Sequence, residues 1–339
     1  MTITVATLLL SVFTCSLVGN FYYPRLALRL RVHAVPNYRS LHPEITPRGA
    51  GIVVAAANLV AVLAGYRLGL IHYQSVLIFF SGGLFVTLVG FADDRFDLPA
   101  VSRLLVQIAA AIWMLYWFGG MPELGFGEII VDLGWLGNIL AVLAMVWFFN
   151  LFNFMDGIDG MATSGTLYVT GAATLILLIN NNHELALLSA LICAAAAGFI
   201  YFNWPPARVF LGDAGSSFFS YTIAALILGS LWGDGVSLWT WLILLGYFVV
   251  DTTVTLLTRL VTVRKWYRAH RSHAYQNLAR IWGDHLKMVR LVLLIELFWL
   301  FPLAMLSIWM HEIAPWLTAV AFLPIVVFAV RNGPLRENA

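Results

Sequence analysis

Apolar positions in this chain come in unbroken runs of about twenty residues, separated by short polar stretches, with no strand-like alternation. Runs of that length read as helices able to cross a hydrocarbon layer about 30 Å thick. Eleven spans are predicted: Ile3–Phe21, Gly51–Leu70, Val76–Phe91, Ala100–Phe118, Leu133–Phe149, Thr163–Ile179, Leu185–Phe202, Phe218–Trp232, Leu238–Leu257, Val289–Met310 and Pro315–Val330. No repeat or soluble insert interrupts the series. The expectation is therefore an all-α, polytopic integral membrane protein with one domain over residues 1–339, because a backbone in lipid must satisfy its own hydrogen bonds. The first run has no basic segment before it and no small-residue cleavage site, and reads as a retained span.

Composition agrees: of 339 residues, 61% are hydrophobic and 11% charged, against about 25% charged in soluble domains. The placement of charge adds orientation. With eleven spans and a periplasmic N-terminus, one face receives the segments near 22–50, 92–99, 150–162, 203–217 and 258–288 and the C-terminal tail. These segments and the adjoining helix ends hold all 19 Lys and Arg except Arg67, which marks that face as cytoplasmic. The opposite loops are short and lean acidic, with Glu123, Glu128, Asp132, Glu184, Asp234 and Glu312. Cys15 and Cys193 sit in apolar runs and read as inert core residues. Nothing in the charge pattern suggests nucleic acid.

Polar clusters gather on the cytoplasmic side: "PNYRSLHPEITPRGAG" (36–51), "DDRFD" (93–97), "NLFNFMDGIDGMA" (150–162), "FNWPPARVFLGDAGSS" (202–217) and the basic "RKWYRAHRSHAYQNLAR" (264–280). Asp93, Asp94, Asp97, Asp156, Asp159 and Asp213 come from three loops. Singly, each reads as a helix cap or turn former. Together in one cleft they would repel unless a cation intervened, and a hard divalent ion, Mg²⁺ or alternatively Mn²⁺, suits oxygen ligands. Asp156 and Asp159, three apart, are expected on nearly the same side of a helix. Gly157, Gly160, Gly212 and Gly215 allow a ligand near the backbone, and "GDAGSS" reads as a helix N-terminus suited to phosphate oxygens. Arg264, Lys265 and Arg280 read as lipid anchors. His270 and His273 add little to anchoring and suit phosphate contacts. Carboxylates for a metal, with glycine loops and cations for phosphate, indicate phosphoryl chemistry between a soluble and a lipid partner.

"DDRFD", "NLFNFMDGIDGMA" and "VFLGDAGSS", in this order and followed by a histidine-containing loop, resemble the polyprenyl-phosphate N-acetylhexosamine-1-phosphate transferases (glycosyltransferase family 4) over nearly the whole chain. "PNYRSLHPEITPRGAG" and "HRSHAYQ" look most like the O-antigen-initiating, WbpL-like branch. The muramyl-pentapeptide branch is disfavoured because its histidine triplet is missing. The resemblance implies transfer of an N-acetylhexosamine 1-phosphate from a UDP-sugar to undecaprenyl phosphate, with UMP leaving and Mg²⁺ required. The implied location is the bacterial inner membrane, with the site facing the cytoplasm; a second copy of the chain is admitted as a partner. Asp93, Asp94, Asp156, Asp159, His270 and His273 would be catalytic, one of the paired acids deprotonating the lipid phosphate. Asp213 and Asp94 would hold the metal. Asn150, Asn153, Asn203, Phe210, Arg48 and Arg271 would bind substrate, Asn203 and Phe210 at the uracil. Asp251, in "VVDTT", would play a supporting part.

Two other classes fit the sequence less well. A transporter would place its charges near the midplane with repeat symmetry; here Glu296 alone would suit that role, and it reads equally as a buried structural acid. A purely structural membrane scaffold leaves the clustered aspartates unexplained.

Overall fold

The structure, a computed structural model, describes residues 2–34, 45–127, 129–232, 235–262 and 272–334. It is helical almost throughout, as the apolar runs predict. In chain order the helices are α1 (Thr2–Leu30), α2 (Gly51–Arg67), α3 (Tyr73–Ser75), α4 (Gly83–Phe96), α5 (Ala100–Phe118), α6 (Gly134–Met155), α7 (Met161–Ile179), α8 (His183–Asn203), α9 (Gly212–Ser230), α10 (Leu238–Leu244), α11 (Gly246–Thr262), α12 (Ala274–Trp282), α13 (His285–Ile295), α14 (Phe301–Trp309) and α15 (Ala314–Asn332). A π-helical stretch, Val76–Gly82, joins α3 to α4, and another, Glu296–Leu300, joins α13 to α14. A 3-10 turn, His311–Ile313, precedes α15, and among the described residues there are two short antiparallel pairs: β1 (His33–Ala34) with β2 (Thr46–Pro47), and β3 (Leu124–Phe126) with β4 (Ile129–Val131).

Every predicted span has a helical counterpart. By length and apolar character, eight of the described helical segments are able to cross a membrane, or nine if α10 and α11, bent by 81°, make one broken span. The difference from eleven has a local cause. α2 has 17 residues and is short for a crossing, while α9 spends its first two turns on Gly-Asp-Ala-Gly-Ser-Ser.

Packing divides the chain into two units: Met1–Pro122 with Leu133–Gly235, and Glu123–Asp132 with Val236–Ala339. In the first, α8 packs on α1 and α7, and α4 packs on α9. Small residues permit this closeness. A Cβ on Gly198 of α8 would lie 2.5 Å from the Phe13 carbonyl oxygen of α1, and Ser16 Oγ donates to the Ala195 carbonyl at 2.7 Å. With no water to exclude between helices in lipid, such close packing and interhelical hydrogen bonds are what hold spans together. In the second unit, α11 packs on α15 and α10 on α14. Thr240 and Ser307 share a 2.8 Å hydroxyl hydrogen bond there, and Trp239 Nε1 donates to the Gly125 carbonyl of the β3–β4 hairpin at 2.7 Å. Glu296 is 1% exposed, buried inside this unit.

Candidate active site

The site in the first unit begins with two chain segments meeting. Gly49 and Gly212 adopt φ of +81° and +76°, backbone that favours glycine. Phe210 N–H donates to the Pro47 carbonyl at 2.8 Å, Ala50 N–H to Phe210 at 3.2 Å and Gly51 N–H to Leu211 at 2.9 Å. "TPRGAG" and "VFLGD" therefore run side by side, 160 residues apart in sequence, and α2 and α9 start at their ends.

Asp94, in the last turn of α4, closes the arrangement. Its Oδ1 accepts the Asp213 N–H at 2.9 Å and its Oδ2 the Ala214 N–H at 3.0 Å. Sequence reasoning reserved this helix N-terminus for phosphate; the anion it holds is the Asp94 carboxylate, the charge a helix start favours. Arg48 lies between two acids, its Nε 2.8 Å from Asp94 Oδ1 and its Nη2 2.5 Å from Asp213 Oδ2. Burial works to lower the Arg48 pKa, but the charges of Asp213, Asp94, Asp156 and Asp93 outweigh it and raise the value, so the guanidinium is a fixed cation. Asn153, in the last turn of α6, donates to Asp213 Oδ1 at 2.5 Å and to Ser216 Oγ at 3.1 Å. Tyr23 of α1 donates to the Arg48 carbonyl at 2.7 Å.

Asp93, one residue before Asp94, points elsewhere. It is buried, accepts the Leu98 N–H at 2.7 Å and meets Arg103 Nη1 at 3.1 Å. Asp97 follows α4 as its left-handed C-cap, φ +48°, the bland role allowed for a single aspartate. Asp156 and Asp159 do not share a helix, contrary to expectation. α6 ends at Met155 and α7 begins after Gly160, whose φ is +72°; glycines on both sides of the second aspartate supply backbone freedom that ends the helix. Asp156 is half-buried, with Arg48, Asp213, Asp94 and Asp159 as its charged neighbours. Burial pushes its pKa well above the usual carboxylate range; Arg48 opposes this and the neighbouring acids add to it. Asp159 is buried and accepts the Ala207 N–H at 2.9 Å. Asn203 is also buried: its amide donates to the Val209 carbonyl at 3.1 Å and its oxygen accepts from Thr163 Oγ1 at 2.7 Å, so it shapes the 203–212 loop.

Asp93, Arg103, Asn150, Asn153 and Asp213 line one cavity of about 90 Å³, whose other wall includes Val86, Val89, Phe149 and Tyr221. Asn150 donates to Gln107 Oε1 at 2.8 Å across this wall. Sequence reasoning missed Arg103, Gln107 and Tyr23. Arg103 carries a readable signal, a basic side chain in the first turn of an apolar span; Gln107 and Tyr23 carry none.

Of the remaining predicted residues, His270 and Arg271 lie outside the described residues. His273 belongs to the second unit, where it is 3% exposed with Nδ1 3.7 Å from Asp251 Oδ1.

No group of three or more His, Cys, Asp or Glu among the described residues is arranged around a common metal position. Mg²⁺ asks for less: one or two carboxylates, the rest water and phosphate oxygen. A carboxylate offers about four lone-pair positions. Asp94 uses three on Arg48, Asp213 and Ala214, and Asp213 uses two on Arg48 and Asn153. Asp213, its side chain 14% exposed, therefore keeps oxygen capacity for such an ion, while Asp94, its side chain 0% exposed, keeps one position.

Fold and site together define a multi-pass helical membrane protein whose acidic and amide side chains converge at helix ends. The family model of glycosyl transferase family 4 matches residues 76–230 of this chain. Among its relatives, a probable undecaprenyl-phosphate N-acetylglucosaminyl 1-phosphate transferase of Bacillus subtilis is 27% identical over 90% of this chain and 84% of its own length. An undecaprenyl-phosphate alpha-N-acetylglucosaminyl 1-phosphate transferase of Escherichia coli O157:H7 is 26% identical over 95% and 89%. A decaprenyl-phosphate N-acetylglucosaminephosphotransferase of Mycobacterium leprae is 28% identical over 84% and 78%.

Proposed function

We propose that this protein transfers an N-acetylhexosamine 1-phosphate from a UDP-sugar to undecaprenyl phosphate. UMP is released, and the product is the first lipid-linked intermediate of O-antigen, lipopolysaccharide or a related surface polysaccharide. The observation that carries the reading is the convergence of Asp94, Arg48, Asp213 and Asn153 where α4, α6 and α9 meet. The names of the relatives support phosphosugar transfer to a polyprenyl phosphate, with N-acetylglucosamine the first sugar to test.

In the proposed reaction an oxygen of the lipid phosphate attacks the sugar-bearing phosphorus of the UDP-sugar. A new P–O bond forms, the bond to the bridging oxygen breaks, and UMP leaves with that oxygen. Mg²⁺ held by Asp213 and Asp94 would neutralise diphosphate charge and stabilise the leaving UMP. Arg48 supplies a positive charge at the same place without depending on pH. Asn153 fixes the Asp213 carboxylate, and Asn150, paired with Gln107, lines the cavity. Asp93 is the candidate base for the lipid phosphate, and Asp156 and Asp159 belong to the same proposed catalytic set. His273, with His270 and Arg271, is proposed to hold phosphate or sugar oxygens, and Phe210 the uracil. The site is proposed to face the cytoplasm from the bacterial inner membrane.

The test is direct. Purified protein is incubated with undecaprenyl phosphate, Mg²⁺ and a panel of UDP-N-acetylhexosamines, and UMP release is read. Release that depends on both lipid phosphate and metal is expected; none with any sugar overturns the reading.

A further inference from the structure

α11 carries a buried polar stripe that the proposed chemistry does not use. Asp251, Thr255 and Arg259 recur every four residues, which puts them on one helix face, and they are 0%, 0% and 7% exposed. That face meets the chain that leads into α12. Asp251 Oδ1 accepts the Ala274 N–H at 3.0 Å and Oδ2 the Tyr275 N–H at 3.1 Å. Thr255 Oγ1 donates to Asp251 Oδ1 at 3.3 Å, and Arg259 Nη1 donates to Ser272 Oγ at 3.2 Å. From the other side, Asn277 Nδ2 donates to the carbonyls of Asn332 and Gly333, at 2.9 and 3.1 Å, at the end of α15. His273 is the N-cap residue of α12, between the groups so gripped.

A buried carboxylate accepting two backbone N–H groups at a helix start makes charge-assisted bonds of fixed direction. The 3.7 Å from His273 Nδ1 to Asp251 Oδ1 is too long for a hydrogen bond. The carboxylate holds the histidine through the backbone on its C-terminal side, with the ring itself also within ion-pair distance. We propose that Asp251 is a positioning residue for the transfer reaction, clamping the start of α12 so that the His273 imidazole is held in one orientation. This rests on the proposed role of His273 as a contact to substrate oxygens. Thr255 and Arg259 extend the same clamp: one steadies the carboxylate, the other fixes Ser272.

The full-length protein carrying Asp251→Asn, His273→Ala or both is assayed for UMP release with UDP-N-acetylglucosamine and undecaprenyl phosphate. Asp251→Asn is expected to lower kcat about tenfold, as loss of a supporting side chain commonly does, with the KM for the UDP-sugar unchanged. The double variant should be no slower than His273→Ala alone, because both changes remove one function. Losses that multiply in the double variant, or wild-type kcat in Asp251→Asn, overturn the proposal. Hydrogen exchange of the peptide spanning 272–280 reads the clamp without activity: faster exchange in Asp251→Asn is expected, and unchanged exchange refutes it. Should His273→Ala keep full activity, the role proposed for that histidine falls, and the exchange result alone decides the clamp. Where Asp251→Asn does not purify folded, Thr255→Val takes its place, with a smaller loss and the same non-additivity expected.

Discussion

Asp94 holds Asp213 by its main chain: the Asp213 N–H reaches the Asp94 carboxylate at 2.9 Å, across 119 residues of sequence. One acid thus fixes the position of another, while Arg48 offsets both charges. Their tasks separate. Asp213, with a side chain 14% exposed, faces the cavity; Asp94 is fully buried and spends most of its capacity on structure.

The two acids should therefore fail differently. Asp213→Asn is expected to lower metal-dependent UMP release by more than the roughly 10–100-fold typical of an outer-shell partner, with little change in thermal stability. Asp94→Ala should lose activity and also about 1–3 kcal/mol of stability, since it leaves two backbone donors without their acceptor. Thermal unfolding in detergent beside the activity assay checks both. Near wild-type turnover of Asp213→Asn at limiting Mg²⁺ would remove Asp213 from the metal site.

Gly90 gives a steric test. A Cβ there would lie 2.5 Å from the Asp213 carbonyl oxygen and 2.8 Å from Ala214 Cα. Gly90→Ala favours helix by about 1 kcal/mol in isolation, yet α9 would have to move away from Asp94. Loss of UMP release with retained membrane insertion is expected; unimpaired activity would mean that the α4–α9 spacing is not critical.

The His72–Glu184 pair predicts a pH dependence. His72 Nδ1 hydrogen-bonds the Glu184 carboxylate, and this bond, with the carboxylate charge, raises the His72 pKa above its ordinary 6.5. The pair's stabilisation is accordingly complete below the ordinary value and is lost as pH rises through the folded value. Glu184→Gln keeps an acceptor for the His72 backbone N–H, now bonded at 2.8 Å, and removes the charge. Its melting temperature should fall below wild type at pH about 5.5 and approach it at pH about 9. An equal gap at both would exclude the ionic contribution.

Orientation is tested by labelling. With Cys15 and Cys193 replaced, cysteines introduced at Asn181 and Arg208, both exposed and at opposite ends of α8, should react with a membrane-impermeant reagent from opposite faces. Asn181 is expected to label from the periplasm. Reaction from the same face would overturn the eleven-span arrangement.

The spans were legible wherever an apolar run ends in turn chemistry. Ala100–Phe118 was read to the residue, between Pro99 and Gly119, and the predicted N-terminus at "GDAGSS" is the start of α9. Local pattern misled at Asp156 and Asp159, where spacing of three suggested one helix face and the glycines broke the helix. It was silent on long-range pairing: nothing near Asn203 announces that its amide pairs with Thr163 and Val209. The i, i+4 spacing of Asp251, Thr255 and Arg259 was readable, but only the fold shows what it grips.

The glycines at the α2–α9 and α4–α9 contacts have one further consequence. A Cβ on Gly51 would come within 2.1 Å of Gly215 Cα, and one on Gly90 within 2.7 Å of the Asp213 carbonyl carbon. Where backbone rests on backbone there are no rotamers to exchange, so these contacts have no soft side chain in which to store a displacement. The separation of Asp94 from Asp213 should then vary little with temperature or lipid. Among the described residues of the site, the long, partly exposed arms of Arg48 and Arg103 are the parts with rotamers to exchange.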